Sequence, residues 1–372
     1  MNRIIGFAIL LIIGILGCKK DDPSCTDCPT DQIIGGDYNP QSFTINVPDW
    51  LEQSPIVPAD NPMTVEGVDL GRHLFYDPIL SSDSTRSCAS CHQLDKAFSD
   101  GAAVSFGVLG IPGTRSSMPL FNLAFNNNGF FWDGRVATLE EQALLPVEDH
   151  IELNENWDNV IEKFVRHPDY PKMFRAAFGI DRTSEITKEL AVKAIAQFER
   201  SIVSLDSRED QITRFNNGWP TAAEKRGRAL FFIEPSTQDD NHPGCSHCHM
   251  GFNLTDNAYK NNGLDNVSDL QDFPDLGLGG FTNNVFENGK FRVPSLRNIA
   301  LTAPYMHDGR FSTLEEVLDH YASGGHGVEN EDPNIRPFPL SEQDKSDLIA
   351  FMNMLTDTAF VNNPVYKNPF EE

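Results

Sequence analysis

Two stretches of this chain carry residues spaced for one kind of chemistry. Cys88-Ala89-Ser90-Cys91-His92 and Cys245-Ser246-His247-Cys248-His249 repeat the pattern Cys-x-x-Cys-His one chain-half apart. Two thiols one helical turn apart can both add to the vinyl-bearing edge of a single porphyrin, and the histidine that follows lies over its iron as proximal ligand. The pattern reads as two covalent c-type haems, attached through Cys88, Cys91, Cys245 and Cys248, with His92 and His249 as axial ligands. Disulfides or half-zinc sites would use the same cysteine pairs, but a histidine follows each pair directly and neither has a second metal-type cluster nearby. Cys25 and Cys28 form a third Cys-x-x-Cys, where Pro29 stands in the histidine's place. That pair is expected as a local disulfide in an oxidising compartment, ahead of an idle segment or a metal site.

The elements that must position these motifs are helical and duplicated. Residues 65–76 carry Val68, Leu70, Leu74 and Phe75 at broadly helical spacing and lead into the first motif. Gly71-Arg72-His73-Leu74-Phe75 recurs as Gly227-Arg228-Ala229-Leu230-Phe231 before the second. Leu120-Phe121-Asn122-Leu123-Ala124 is answered by Leu296-Arg297-Asn298-Ile299-Ala300, and the Asp133 to Glu141 stretch by Asp308 to Glu316, 175 positions on. Each of the latter ends in a Thr-x-x-Glu capping box, so helices start at Leu139 and Leu314. A long helix is expected over 186–206, a domain junction over 207–225, and a last helix after the Ser341 to Asp344 capping box. Residues 275–280 are glycine-rich but lack the strand-helix context of a dinucleotide site. No convincing run of alternating strands appears.

Composition sets the surroundings. The 54 acidic against 29 basic residues give a formal net charge of -25, which repels phosphate backbones and excludes nucleic acid, while a basic small protein is a plausible partner. The 27 glycines and 24 prolines imply ordered loops wrapped around a cofactor. Asn2-Arg3 and the apolar run from Ile4 to Gly17 form a signal-peptide core too short to span a bilayer permanently. Ile15-Leu16-Gly17-Cys18 resembles the bacterial lipoprotein box, which implies leader removal and a lipid on Cys18. The expected organisation is a leader (1–17), a lipid-anchored flexible tether (18–45), and two domains of one haem each (46–206 and 207–372). The place is the bacterial cell envelope, as a periplasm-facing or surface lipoprotein touching membrane only through its anchor.

Duplicated halves reveal a division of labour where matched positions differ. Trp132 falls opposite His307, and an indole between two haems is a stepping stone for electrons, or else a core residue. Tyr321 falls opposite Pro146. A phenolate can bind ferric iron and proline cannot, so the second iron would be six-coordinate and the first open to a small oxidant. Met306 and His320 compete with Tyr321 for that role. Gln142 could hold a bound peroxide and Glu152 shuttle its protons, although either could equally be a surface residue.

Together these residues resemble the bacterial di-haem cytochrome c peroxidase and MauG family. The resemblance runs from about Pro62 to Leu355, on the paired haem motifs, Phe131-Trp132-Asp133-Gly134-Arg135, Gln142-Ala143 with Pro146 and Glu152, and Val293-Pro294-Ser295-Leu296-Arg297-Asn298 leading into Leu301-Thr302-Ala303-Pro304-Tyr305. It implies an all-α fold of two class I cytochrome c domains in tandem. It also implies a peroxide-reactive first haem, an electron-transfer second haem with Trp132 between them, and Gln142 and Glu152 as the distal pair. Electrons would come from a small cytochrome c or similar redox protein. A calcium ion between the haems would rest on backbone oxygens of Thr302 and Pro304, with Ser116 where relatives usually have asparagine. Two features lean toward MauG: residues 97–115 contain no histidine, and Tyr321 stands where peroxidases place methionine. The leading reading is a haem peroxidase reducing hydrogen peroxide. Its rivals are MauG-like oxidation of a partner protein and a non-catalytic electron-transfer cytochrome.

Overall fold

The computed structural model describes residues 31–233 and 242–371. The leader, Cys18, and the Cys25 and Cys28 pair lie outside the described residues. The fold is helix-rich with little sheet. Among the described residues the one paired ribbon is Tyr259–Lys260 with Phe291–Arg292, antiparallel, Tyr259 opposite Arg292.

Each half is built on one helix crossing. Val65–Tyr76 packs across Lys188–Ser201 in the first, and Ala222–Phe231 across Glu342–Met354 in the second. The crossings are close because each uses a glycine at its centre: a Cβ on Gly71 would sit 1.9 Å from the Ala194 carbonyl oxygen, and one on Gly227 1.8 Å from that of Asp347. Paired aromatics lock them, with Phe75 against Phe198 at 5.3 Å and Phe231 against Phe351 at 5.1 Å between ring centroids. All four rings are buried, each contributing on the order of 1.5–3 kcal/mol of apolar transfer.

The capping boxes do as their residues predict. Thr138 and Thr313 accept from the backbone N–H of Glu141 and Glu316, starting Leu139–Glu148 and Leu314–Ser323. Ser341 does the same for Glu342–Met354. The long helix is shorter than the 186–206 expected, because Thr187 caps it and the chain turns extended at Ile202. There Ser204 N–H donates to Asn122 Oδ1 at 2.9 Å instead of continuing the helical ladder.

The duplication extends to backbone detail. Asn122 and Asn298 both take left-handed φ, at 56° and 58°, as asparagine tolerates. So do Phe131 and Met306, at 64° and 75°, where β-bridges Phe130–Val136 and Tyr305–Phe311 close matching turns. Across the junction the halves exchange equivalent hydrogen bonds: Ser116 N–H donates to the His307 carbonyl at 2.7 Å, and Arg292 N–H to the Trp132 carbonyl at 2.9 Å.

Two stretches lie elsewhere than the expected boundaries put them. Residues 31–45, expected as flexible tether, run along the first half: Ile34 joins its core and donates its N–H to the Asp181 carbonyl, and Phe43 donates to that of Met63. At the other end the chain comes back to the first half. Phe360 packs on Phe98 at 6.0 Å and Phe121 at 5.9 Å, and the Tyr366 hydroxyl donates to the Ser201 carbonyl. Both follow from apolar residues that sequence periodicity does not assign to any helix.

The crossings define a test. Gly71→Ala or Gly227→Ala should cost about 1–3 kcal/mol or more, as overpacking against a fixed backbone does, and lower the thermal midpoint of the haem-loaded protein. Unchanged melting in both variants would refute the close-approach account.

Candidate functional site

The first motif faces a cavity of about 520 Å³ lined by Cys88, Cys91, His92, Trp132, Gln142, Pro146 and Glu152, among others. The second faces one of about 190 Å³, lined by Cys245, Cys248, His249, Trp132, Met306, His307 and Tyr321, among others. None of the four cysteines is paired in a disulfide, and burial pushes each thiol up.

Both proximal histidines are held the same way. His92 Nδ1 lies 2.8 Å from the Phe98 carbonyl oxygen, which reaches it because Ala97 and Phe98 both turn left-handed. His249 Nδ1 lies 3.1 Å from the Leu254 carbonyl, and Leu254 too is left-handed. A carbonyl partner keeps the proton on Nδ1 and leaves Nε2 with its lone pair for a metal. Burial lowers both imidazole pKa values, keeping the rings neutral as ligands must be. Paired thiols, a fixed imidazole and an apolar cavity in each half fit a covalently held porphyrin.

In the first cavity the remaining wall comes from the Leu139–Glu148 helix and the loop after it. Pro146 presents no ligand atom, while Gln142 and Glu152 both line the space. The Glu152 side chain opens onto the cavity, yet the protein packed around it pushes its carboxyl up to about 7, Asp149 adding to the rise and Arg135 opposing it. Val108 N–H donates to the Glu152 carbonyl at 2.8 Å, pinning the histidine-free loop beside it.

The second cavity is closed by different atoms. Asn262 Nδ2 lies 3.3 Å from the Tyr321 hydroxyl and 3.4 Å from Met306 Sδ, so both candidate ligands face one space. His320, the third candidate, has its Nε2 against the Asn262 carbonyl at 2.9 Å and does not line the cavity. Burial raises the Tyr321 phenol to about 12, with the Asn262 amide opposing, so a metal must displace its proton to be ligated.

Trp132 lines both cavities, and its Nε1 donates to the Ser116 carbonyl at 3.0 Å. Its counterpart His307 stacks on Phe291 with ring centroids 3.6 Å apart. Of the residues expected at a calcium ion, two have their hydroxyls engaged with backbone. Ser116 Oγ donates to the Met306 carbonyl at 3.0 Å and Thr302 Oγ1 to that of Ile299 at 3.2 Å. Among the described residues no group of three or more His, Cys, Asp or Glu could hold a metal ion. The expected calcium ligands, Ser116 and the backbone oxygens of Thr302 and Pro304, are of another kind.

Two cavity residues escaped sequence reasoning. Glu199 is 4% exposed, lines the first cavity, and has Oε2 without a partner among the described residues. Burial lifts its carboxyl to about 8. The glycine contacts pair Ala194 with Asp347, which sets Glu199 opposite Met352 of the second cavity. Arg292 is 6% exposed and lines both cavities. No motif flags either, and the glycine contacts that match Glu199 to Met352 are visible only in the structure.

A family model described as di-haem cytochrome c peroxidase matches residues 65–217. The methylamine utilization protein MauG of Methylorubrum extorquens is 37% identical over 302 residues, 80% of each chain. Cytochrome-c peroxidase IdrP1 of a Pseudomonas species is 35% identical over 331 residues, 81% of this chain and 83% of that one. A crystal structure of a MauG-like protein associated with microbial copper homeostasis superposes with a TM-score of 0.81 at 34% identity, covering 88% of this chain and 100% of that one.

The two ligand candidates can be separated on the haem-loaded protein. Tyr321→Phe should change the low-spin electron paramagnetic resonance signal of one iron and leave the other unaltered, while Met306→Leu leaves both. The reverse pattern assigns the position to Met306.

Proposed function

The chain belongs to the di-haem cytochrome c peroxidase family, and on that premise we propose that its first cavity is where hydrogen peroxide is reduced and its second where donor electrons enter. It is a haem peroxidase carrying two c-type haems, and the overall reaction takes peroxide, two electrons and two protons to two waters. The haems, when bound, supply the one-electron redox chemistry. Each half is read as a class I cytochrome c unit, supported by its glycine-centred crossing and carbonyl-held histidine.

The observation that carries the assignment is the contrast between Pro146 with Gln142 and Glu152 in one cavity and Tyr321 with Met306 in the other. Glu152 takes a proton from the incoming peroxide and returns it to the departing oxygen, a general acid-base role suited to a carboxyl poised near neutrality. Gln142 orients the peroxide by its amide. Trp132, lining both cavities, carries electrons between them. Tyr321 supplies an oxygen ligand in the second cavity, which favours the oxidised states of its metal. Calcium enters only as an ion on backbone oxygens near Ser116, Thr302 and Pro304.

A second reading has its own support. Tyr321 and the histidine-free loop over residues 97–115 suit oxidation of a partner protein, as does the likeness to proteins named MauG or MauG-like. The donor or partner would meet the chain in the cell envelope, tethered by lipid on Cys18. No helix among the described residues is long and apolar enough to cross a membrane.

Peroxide turnover with reduced cytochrome c or an artificial donor tests the main proposal. Glu152→Gln should lower kcat/KM for peroxide about 10²-fold or more. Because burial raises this carboxyl, Glu152 is protonated below about pH 7 and a competent base above it, so wild-type kcat/KM should rise with pH through about 7. The variant should lose that limb. Equal turnover in both proteins removes Glu152 from the mechanism.

A further inference from the structure

Arg292 is a buried cation and, with Trp132, one of two described residues that line both cavities. Its backbone N–H is half of the reciprocal exchange across the junction, and its side chain turns into the wall shared by the two cavities. Nη2 donates to the Phe131 carbonyl at 2.8 Å, and the guanidinium lies 5.8 Å from the Phe130 ring centroid. The Tyr259 hydroxyl is its other polar neighbour, already donating to the Asn128 carbonyl. Nε is buried with no partner among the described residues.

No carboxylate of the described residues forms an ion pair with this guanidinium. The acidic residue that acts on it, Asp133, is held by Arg115 at 2.6 Å and Arg135 at 3.1 Å. Other buried arginines are served differently: Arg200 is bound by Glu140 through two bonds and Arg297 by Asp210 through two. A buried unpaired charge costs several kcal/mol, so a guanidinium kept in this position implies an anion brought by something else. The matched residue across the junction, Ser116, is neutral, so among the described residues the junction has one such cation for two cavities.

Resting on the two-haem reading, we infer that Arg292 is a shared anion anchor, binding propionate carboxylates of both haems and setting both redox potentials together. A porphyrin in each cavity brings carboxylates to the wall that this guanidinium lines. Arginine suits the task because its fork offers several donors in one plane and its charge does not titrate away. One cation serving both groups also couples them, since its field stabilises the reduced form of each iron.

The test uses the full haem-loaded protein, and covalent haem content is measured first. Two haems per chain in wild type upholds the reading on which the inference rests, separately from the arginine. Arg292→Gln should then lower both midpoint potentials in spectroelectrochemical titration. The expected size is at least a tenfold shift in each Fe(III)/Fe(II) equilibrium, 59 mV for a one-electron couple. A shift confined to one haem overturns the sharing, and unmoved potentials overturn the anchor. Should the glutamine variant fail to load, Arg292→Lys decides. It keeps the cation but not the fork, so potentials should stay within threefold in equilibrium while the propionate-bending bands of the resonance Raman spectrum shift. Unshifted bands refute the contact.

Discussion

The arrangement depends on a reciprocal pair of backbone hydrogen bonds across the junction, Ser116 to His307 and Arg292 to Trp132. Backbone bonds set position more firmly than side-chain contacts do, because neither partner has rotamers to adjust. Through them the loop preceding each half's Asn turn is fixed to the opposite half's Trp or His turn. The two cavities therefore keep one separation and one relative orientation, with the Trp132 indole in the wall they share. Electron passage between sites is steep in distance, so this pinning is a functional requirement as much as a structural one.

Within each half a second constraint does the corresponding work for the metal. The carbonyls of Phe98 and Leu254 are turned onto the imidazoles by left-handed residues that are not glycine. Such conformations cost energy and persist where surrounding structure imposes them. The buried aromatic packing of Phe75, Phe98 and Phe198 supplies that surrounding in the first half. Sequence duplication has thus preserved the grip on the proximal side of both cavities while the opposite sides diverged, to Pro146, Gln142 and Glu152 in one and Tyr321 and Met306 in the other.

Much of this was legible beforehand. The attachment motifs, the capped helix starts at Leu139 and Leu314, and the repeated segments around Asn122 and Asn298 are local signals, written in a few adjacent residues. The Val65–Tyr76 helix is legible in its apolar spacing, and the structure adds the Thr64 cap that starts it. What stayed hidden is non-local. Glu199 and Arg292 owe their meaning to cavities formed by segments far apart in sequence, and a lone glutamate or arginine has no pattern to betray it. Residues 31–45 look like a linker by composition, yet Ile34 is buried by a partner surface 147 positions on, at Asp181. Asn262 holds the His320 ring by its backbone carbonyl and faces Tyr321 and Met306 with its side chain, a distinction that no local sequence pattern carries.

The return of Phe360 and Tyr366 to the first half has a consequence for biogenesis. The aromatic cluster beneath His92 is completed by residues that leave the ribosome long after its own. The first half therefore cannot reach its final packing until the chain has been synthesised through Tyr366, however early its own thiols emerge. Any haem attached there before that point joins an incompletely packed first half.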